Sequence, residues 1–439
     1  MKTKFLLVLV LLVSISINAQ TKKWTLQECV NHAIENNITV KQAENSLLIN
    51  EENIKAAKGA FLPSVGANVS QSLSLGNVQV FSGSFVDRTS NNTNVGINAS
   101  ETIFNGFRNR NNYKQSILTL ETDELELARI KDDISLNVVN AYLNILFNKE
   151  NLVTAKKQFD FTNKQLTQVK ELVDAGVQPK ANINDVLATL SSDIQKVTVA
   201  ENSLALAKLT LSQFLQVSFD GFDVQSINID APSDALLYDN VTPILEHAFK
   251  NRNEIKIAEK NIENAKLSTE IFKSGFMPTV TLSYGFGTNV FFSNLSSDVA
   301  FFDQLNDNKG HNFSLNANIP IFSRFQNKTA VAKSKIQEKN SQLNLERAKL
   351  NLEATIQRAF TDAKAAFRTY DAAKTSLGAQ QLSFNNSQEK YNIGTMNAFD
   401  LDQGRVRLFN AESSLINAKY DFVFKTKVLD FYLGKSITQ

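Results

Sequence analysis

This chain of 439 residues is written twice. His32-Ala33 and Phe61-Leu62-Pro63 recur as His247-Ala248 and Phe276-Met277-Pro278, at an offset of 215 residues (247 − 32 and 278 − 63). Further along, the offset becomes 218 (394 − 176). Ile103-Phe104 answers Ile321-Phe322, Ala141-Tyr142 answers Ala359-Phe360, Gly176 answers Gly394, and Phe214-Leu215 answers Tyr432-Leu433. Solenoid repeats run to roughly 20–50 residues, so this spacing belongs to duplication of a complete module. Whatever one half folds into, the other must nearly reproduce.

The module is built around a rod. From about Gly106 to Ala175 there is no proline and no internal glycine. Apolar residues there recur in steps of four and three: Ile134, Val138, Ala141, Ile145, Leu152, Ala155 and onward, with Asn148 and Thr162 as polar members. The second half repeats the seam through Leu352, Ile356, Ala359, Ala363, Ala366 and Tyr370. A 3.5-residue period predicts left-handed coiled-coil packing. Roughly seventy residues at 1.5 Å rise predict a helix of about 105 Å. Each half therefore reads as a helix of about thirty residues, two strands, a very long helix, a break at a glycine, and a further helix.

The strand segments carry the second signal. Val65, Ala67, Val69, Leu73 and Leu75 alternate with serine, glycine and asparagine. The same holds for Val95, Ile97, Ala99 and Ile103, for Val280, Leu282, Tyr284 and Phe286, and for Phe313, Leu315, Ala317, Ile319 and Ile321. Period two predicts strands with one apolar face. The other face is Ser, Asn, Thr and Gly with almost no charge, which suits lipid on one side and water on the other. Runs of about ten residues match a tilted membrane-spanning strand. The competing reading is a pair of soluble hairpins packed on helices. Pro63, Pro278 and Pro320 mark the helix–strand boundaries. Phe61, Phe104, Phe107, Phe276, Phe322 and Phe325 gather there, either as an interfacial aromatic belt or as ordinary packing. Gly76 to Asn92 and Thr288 to Gly310 read as long loops at the hairpin tips.

Met1-Lys2-Thr3-Lys4, the apolar run Phe5 to Ile17 and Asn18-Ala19-Gln20 read as a signal peptide over residues 1–19. That run is too short to span a bilayer as a helix. The first repeat then covers 20–218, an irregular linker 219–241, and the second repeat 242–439. Loss of Lys2 and Lys4 takes the formal charge from +2 to 0. With no basic run, nucleic acid is not an expected partner. Cys29 is the only cysteine and lies on an apolar helical stripe, so it reads as a core residue with no disulfide. Leu26-Gln27-Glu28 before it lacks the small residues of a lipid-anchor signal. Beyond the signal no apolar segment suffices for a transmembrane helix, so membrane entry requires β-strands. Four strands cannot close a barrel, so copies must pool them; the strand count leaves the number of copies open.

Catalytic chemistry has little material. His32 and His247 occupy the same place in the two repeats and read as packing or capping residues, and His311 begins a strand. No phosphate-cradling loop, paired-cysteine spacing or triad is present. Neither an enzyme, a cofactor nor a metal site is expected.

The duplicated helix–hairpin–helix units, the turn Ile103-Phe104-Asn105-Gly106 and the glycine turns at Gly176 and Gly394 resemble the TolC family of outer-membrane efflux proteins. So does the motif Tyr391-Asn392-Ile393-Gly394-Thr395 with Phe399-Asp400-Leu401. The similarity runs from about Trp24 to Gly434. It implies a mixed α/β membrane protein: a homotrimer whose four strands per chain close a 12-stranded barrel in the outer membrane of a Gram-negative-type bacterium. Long coiled-coil helices would form a periplasmic α-barrel tunnel. The implied role is the exit duct of a tripartite efflux or type I secretion system, with a periplasmic adaptor and an inner-membrane pump as partners. Adaptor docking would use the tips Gly176, Val177, Gly394 and Thr395. The gate would involve Asp400, Gln403, Tyr391, Asn182 and Asp185. Three departures stand out. Gln403 and Asn182 replace family aspartates, and Met396 replaces a family arginine. The family's arginine–aspartate latch is therefore lost, leaving a neutral Tyr391–Asn182 hydrogen bond. Asp400 also fits a helix cap or first turn, and the facing of Asp402 is open. The alternative function is a periplasmic coiled-coil adaptor or scaffold that never enters lipid. The cargo is not written in the tunnel sequence.

Overall fold

The computed structural model describes residues 23–81, 83–226, 238–296 and 299–437. The expected signal peptide and residues 227–237 of the expected linker lie outside these. The first half comprises β1 (Lys23–Trp24), α1 (Leu26–Asn36), α2 (Ile38–Gly59), β2 (Ser64–Phe81), β3 (Ser84–Asn105), α3 (Arg108–Asp174) and α4 (Ala181–Leu215). After β4 (Asp223–Val224), the second half gives α5 (Thr242–Asn251), α6 (Asn253–Lys273), β5 (Thr279–Ser293), α7 (Phe301–Asp307), β6 (Gly310–Asn318), α8 (Gln326–Asn392) and α9 (Ala398–Tyr432). The long helices α3 and α8 are each 67 residues, and their return helices α4 and α9 are each 35. Among the described residues no helix is long and apolar enough to cross a membrane.

The expected thirty-residue opening helix is broken in both repeats. Asn37 and Arg252 adopt extended backbone between α1 and α2 and between α5 and α6. The reason lies in their side chains. Asn37 accepts from the Thr39 amide at 2.9 Å and donates to the Phe214 carbonyl at 3.2 Å. Arg252 is buried, paired with Asp132 at 3.2 Å and Glu254 at 3.0 Å, and lies 4.2 Å from the Phe431 ring centroid. Each break exchanges a turn of helix for tertiary bonds.

The chain divides into two compact units. One contains residues 126–256 and 347–439 with the described N-terminal residues up to Glu44. Its core joins Cys29 and Ala33 of α1, Val138, Tyr142 and Ile145 of α3, and Leu211 of α4. The supposed linker is partly ordered by β4, which pairs parallel with β1 (Trp24 with Val224). Tyr142 donates its hydroxyl to the Gln225 carbonyl at 2.7 Å, and Lys149 and Lys208 both pair with Asp223.

The other unit holds residues 45–125 and 257–346, including the antiparallel sheet β2-β3-β5-β6. Its register aligns the strand faces across all four strands. Val65, Ala99, Tyr284 and Phe313 form one row and Ser64, Ser100, Ser283 and Ser314 the next. Glu101 interrupts the apolar face opposite Leu282. The polar face is stitched by Asn98 donating to Asn68 at 2.8 Å and by the Ser64–Ser100 hydroxyl pair at 3.0 Å.

The expected hairpin loops are largely ordered. The stretch Gly76 to Asn92 is mostly paired strand (Gly76 with Arg88, Val78 with Val86), and the hairpin reverses at Gly83. From Thr288 to Gly310, β5 continues to Ser293 and α7 packs on it. Gln304 there accepts from the Phe291 amide at 2.8 Å, and Thr288 donates to the Leu305 carbonyl at 2.8 Å. Backbone ladders and side-chain-to-backbone bonds order these segments without a long apolar alternation.

Helix succeeds strand by the same device in each half. Gly106-Phe107 and Arg324-Phe325 all take positive φ, and each phenylalanine packs edge-on against its partner, Phe104 or Phe322. Asn109 then donates to the Ala60 carbonyl at 2.8 Å, while Asn327 donates to the carbonyl of Gly275. A Cβ at Gly106 would lie 2.6 Å from Met277 Cβ, so only glycine fits that turn.

Candidate functional site: the glycine turns and a buried arginine

Both long helices end in one motif. At the first turn the Gly176 amide donates to Val173 and the Val177 amide to Leu172; at the second, Gly394 donates to Tyr391 and Thr395 to Lys390. This is the Schellman pattern, which requires a left-handed residue after the helix. Gly176 and Gly394 supply it with φ of 74° and 77°. Among the described residues, none beyond the chain neighbours lies within 4 Å of where a Cβ would stand on either, so both turns present open backbone. Val177 and Thr395 are exposed beside them.

The helices that leave the turns begin differently. Asn397 caps α9, accepting from the Asp400 amide at 2.8 Å. Lys180 precedes α4 without any side-chain cap. Asp400 is thus an exposed first-turn residue of α9, and Gln403 is exposed one turn on. Asp185 is exposed on α4, and Asn182 donates to Gln178 at 3.3 Å rather than meeting Tyr391. The Tyr391 hydroxyl oxygen is buried with no hydrogen-bond partner among the described residues. The anticipated Tyr391–Asn182 bond is therefore not made within this chain.

Asp402 points inward, and its partner was missed by sequence reasoning. Arg405, 4% exposed, binds Asp402 at 2.8 Å and Asp193 of α4 at 2.9 Å. Asp193 is fully buried; it accepts from Thr162 of α3 at 2.6 Å and from Lys196 at 3.0 Å. Thr162 in turn accepts from Arg405 at 3.0 Å. Burial pushes the Asp193 carboxyl up, but the hydrogen bonds from Thr162 and Lys196 and the nearby Arg405 charge outweigh it. The group titrates below the ordinary carboxylate range. Three helices thus meet at one ion pair a few turns from the glycines. The available sequence signals were Thr162 as a polar residue on an apolar seam and the i,i+3 spacing of Asp402 and Arg405.

The outer membrane efflux protein family matches this chain over residues 29–215 and 244–435, one segment for each repeat. The chain belongs to that family. Its function is export through the outer membrane, and the scaffold that stays out of lipid is set aside. The outer membrane protein TolC of Vibrio cholerae is 22% identical over 432 residues, spanning 93% of this chain and 90% of that protein. Among solved structures, the outer membrane protein VceC of Vibrio cholerae superposes with a TM-score of 0.76 at 17% identity, covering 94% of this chain and 96% of VceC. The CmeC outer membrane channel of Campylobacter jejuni gives 0.76 at 18%, covering 93% and 85%. This efflux protein therefore shares its fold with known outer-membrane channels across nearly its whole length.

Proposed function

We propose that three copies of this efflux protein pool their sheets into one 12-stranded barrel. Their helices would form a periplasmic duct that receives cargo from an inner-membrane pump through a periplasmic adaptor. The aligned rows of the sheet carry this reading. Val65, Val69, Phe313 and Leu315 are strongly exposed on the face shared with Ala99 and Tyr284, a cost in water that lipid removes. The other face, lined by Ser and Asn, suits a wet lumen. An arginine in place of Leu315 is expected to cost about 2–4 kcal/mol near mid-membrane, whereas Asn316→Arg is tolerated. Trimer yield in outer-membrane fractions measures both. Equal sensitivity of the two faces would refute the barrel.

The glycine turns are the proposed adaptor contacts, being open backbone at the ends of α3 and α8. Asp400 is the proposed gate charge. Three copies around a narrow pore would focus negative potential and draw cations, with Gln403 contributing no second ring. In bilayer recordings Asp400→Asn should lower cation preference and relieve block by multivalent cations, and Asp185→Asn should do less. Unchanged selectivity in Asp400→Asn would leave the residue a first-turn helix residue and nothing more.

A further inference from the structure

We propose the register in which β6 of one copy pairs with β2 of the next, an inference that rests on the barrel reading above. The two edge strands of the sheet are β2 and β6, and a ring of three copies requires each contact to join these unlike edges head to tail.

The duplication sets the register. The two hairpins are superimposable in pairing: Ser64 faces Ser100 in the first, and Thr279 faces Asn318 in the second. Those positions differ by 215 and 218 (279 − 64 and 318 − 100), the offsets of the sequence repeat. The asparagine bonds from Asn109 to Ala60 and from Asn327 to Gly275 obey the same two offsets. Within the chain, the junction between repeats is the β3–β5 ladder, where Ser100 faces Ser283, Asn98 faces Gly285 and Val95 faces Thr288. Adding 218 on the β3 side and subtracting 215 on the β5 side converts it into the junction between copies. Asn318 then faces Asn68 of the next copy, Asn316 faces Ser70, Ser314 faces Ser72 and Phe313 faces Leu73.

Side-chain chemistry, which the mapping did not use, agrees with the result. Asn318–Asn68, Asn316–Ser70, Ser314–Ser72 and Asn312–Ser74 set polar against polar. Ala317–Val69 and Phe313–Leu73 set apolar against apolar. Only Leu315–Gln71 and His311–Leu75 mix. A slip of one residue would put polar against apolar along nearly the whole seam. A slip of two would keep the faces, and the internal symmetry decides against it.

Cysteine pairs in a Cys29→Ala background test the register in outer-membrane fractions. Asn316→Cys with Ser70→Cys should give inter-copy disulfides at about ten times the level of Asn316→Cys with either Asn68→Cys or Ser72→Cys. Directly opposite residues bring Cα atoms within bridging range, whereas diagonal neighbours stand roughly 7–8 Å apart. Ser70→Cys with Asn94→Cys, which face each other within the chain, is the positive control. Dominance of a shifted pair overturns the register while leaving strand closure intact. If the control bridge forms and no β6–β2 pair does, the edges do not meet, and the barrel reading falls with the register.

Discussion

The two glycine turns end their helices alike and open the next ones differently. Gly176 and Gly394 close α3 and α8 with the same two backbone bonds at nearly the same φ. Beyond the turn, α9 has a capped start and carries Arg405 into a buried ion pair, while α4 starts uncapped. At the place of Arg405 the first repeat has Leu187, and at the place of Asp193 the second has Ala411 (both offset by 218: 405 − 187 and 411 − 193). Duplication preserved the backbone instructions, whose failure would unmake both halves. The side chains diverged where each copy meets different neighbours.

Breaking the ion pair should expose this asymmetry most strongly. Arg405→Met leaves the Asp193 carboxylate buried without its guanidinium, and a loss of about 3–5 kcal/mol is expected. Leu187→Ala, half-exposed at the matching position, should cost under about 1 kcal/mol. Denaturant unfolding of the detergent-solubilised protein measures both. The sign with pH is fixed by the lowered Asp193 pKa. Its stabilisation is present above the unfolded carboxylate value of about 3.9 and drains away as pH falls through the lower folded value. The gap between wild type and Arg405→Met should therefore narrow in strong acid. A gap of constant size down to the acid limit would remove Asp193 from the account.

The caps give a smaller contrast. Asn397→Ala removes the bond to the Asp400 amide and should cost about 1 kcal/mol. Lys180→Ala removes no cap and should stay within about 0.5 kcal/mol. Equal effects of the two substitutions in the same unfolding assay would mean that the helix starts are alike after all.

Much of the fold is legible in the sequence because it is periodic. The seam through Val138, Ile145 and Ala155 announces α3 to within about two residues at each end, and the alternation around Val65 and Phe313 announces the faces of the sheet. The parts that stay hidden have no period. The extended residues Asn37 and Arg252 interrupt helical patterns that continue on either side of them. The paired stretch Gly76 to Asn92 is held by its backbone ladder, and its few apolar residues, such as the Val78–Val86 pair, are interrupted by too many polar ones to set a long alternation. Arg405 and Asp193 lie 212 positions apart, and only folding brings them together. Of the anticipated gate residues, Asp400 and Gln403 stand exposed at the start of α9, whereas the hydroxyl of Tyr391 finds no partner among the described residues.

The lengths of the edge strands bear on how the wall would come together. β2 has 18 residues and β6 only nine. In a closed ring, β6 offers each boundary between copies about half the ladder that β2 makes with β3. Hairpins form from contacts close in sequence and need no partner, so they lead. The boundary must wait for a second chain, and its ladder is no longer than the nine pairs β6 already makes with β5. Such a wall is assembled from finished staves, and dilution or heat would part it at β6 before any hairpin is lost.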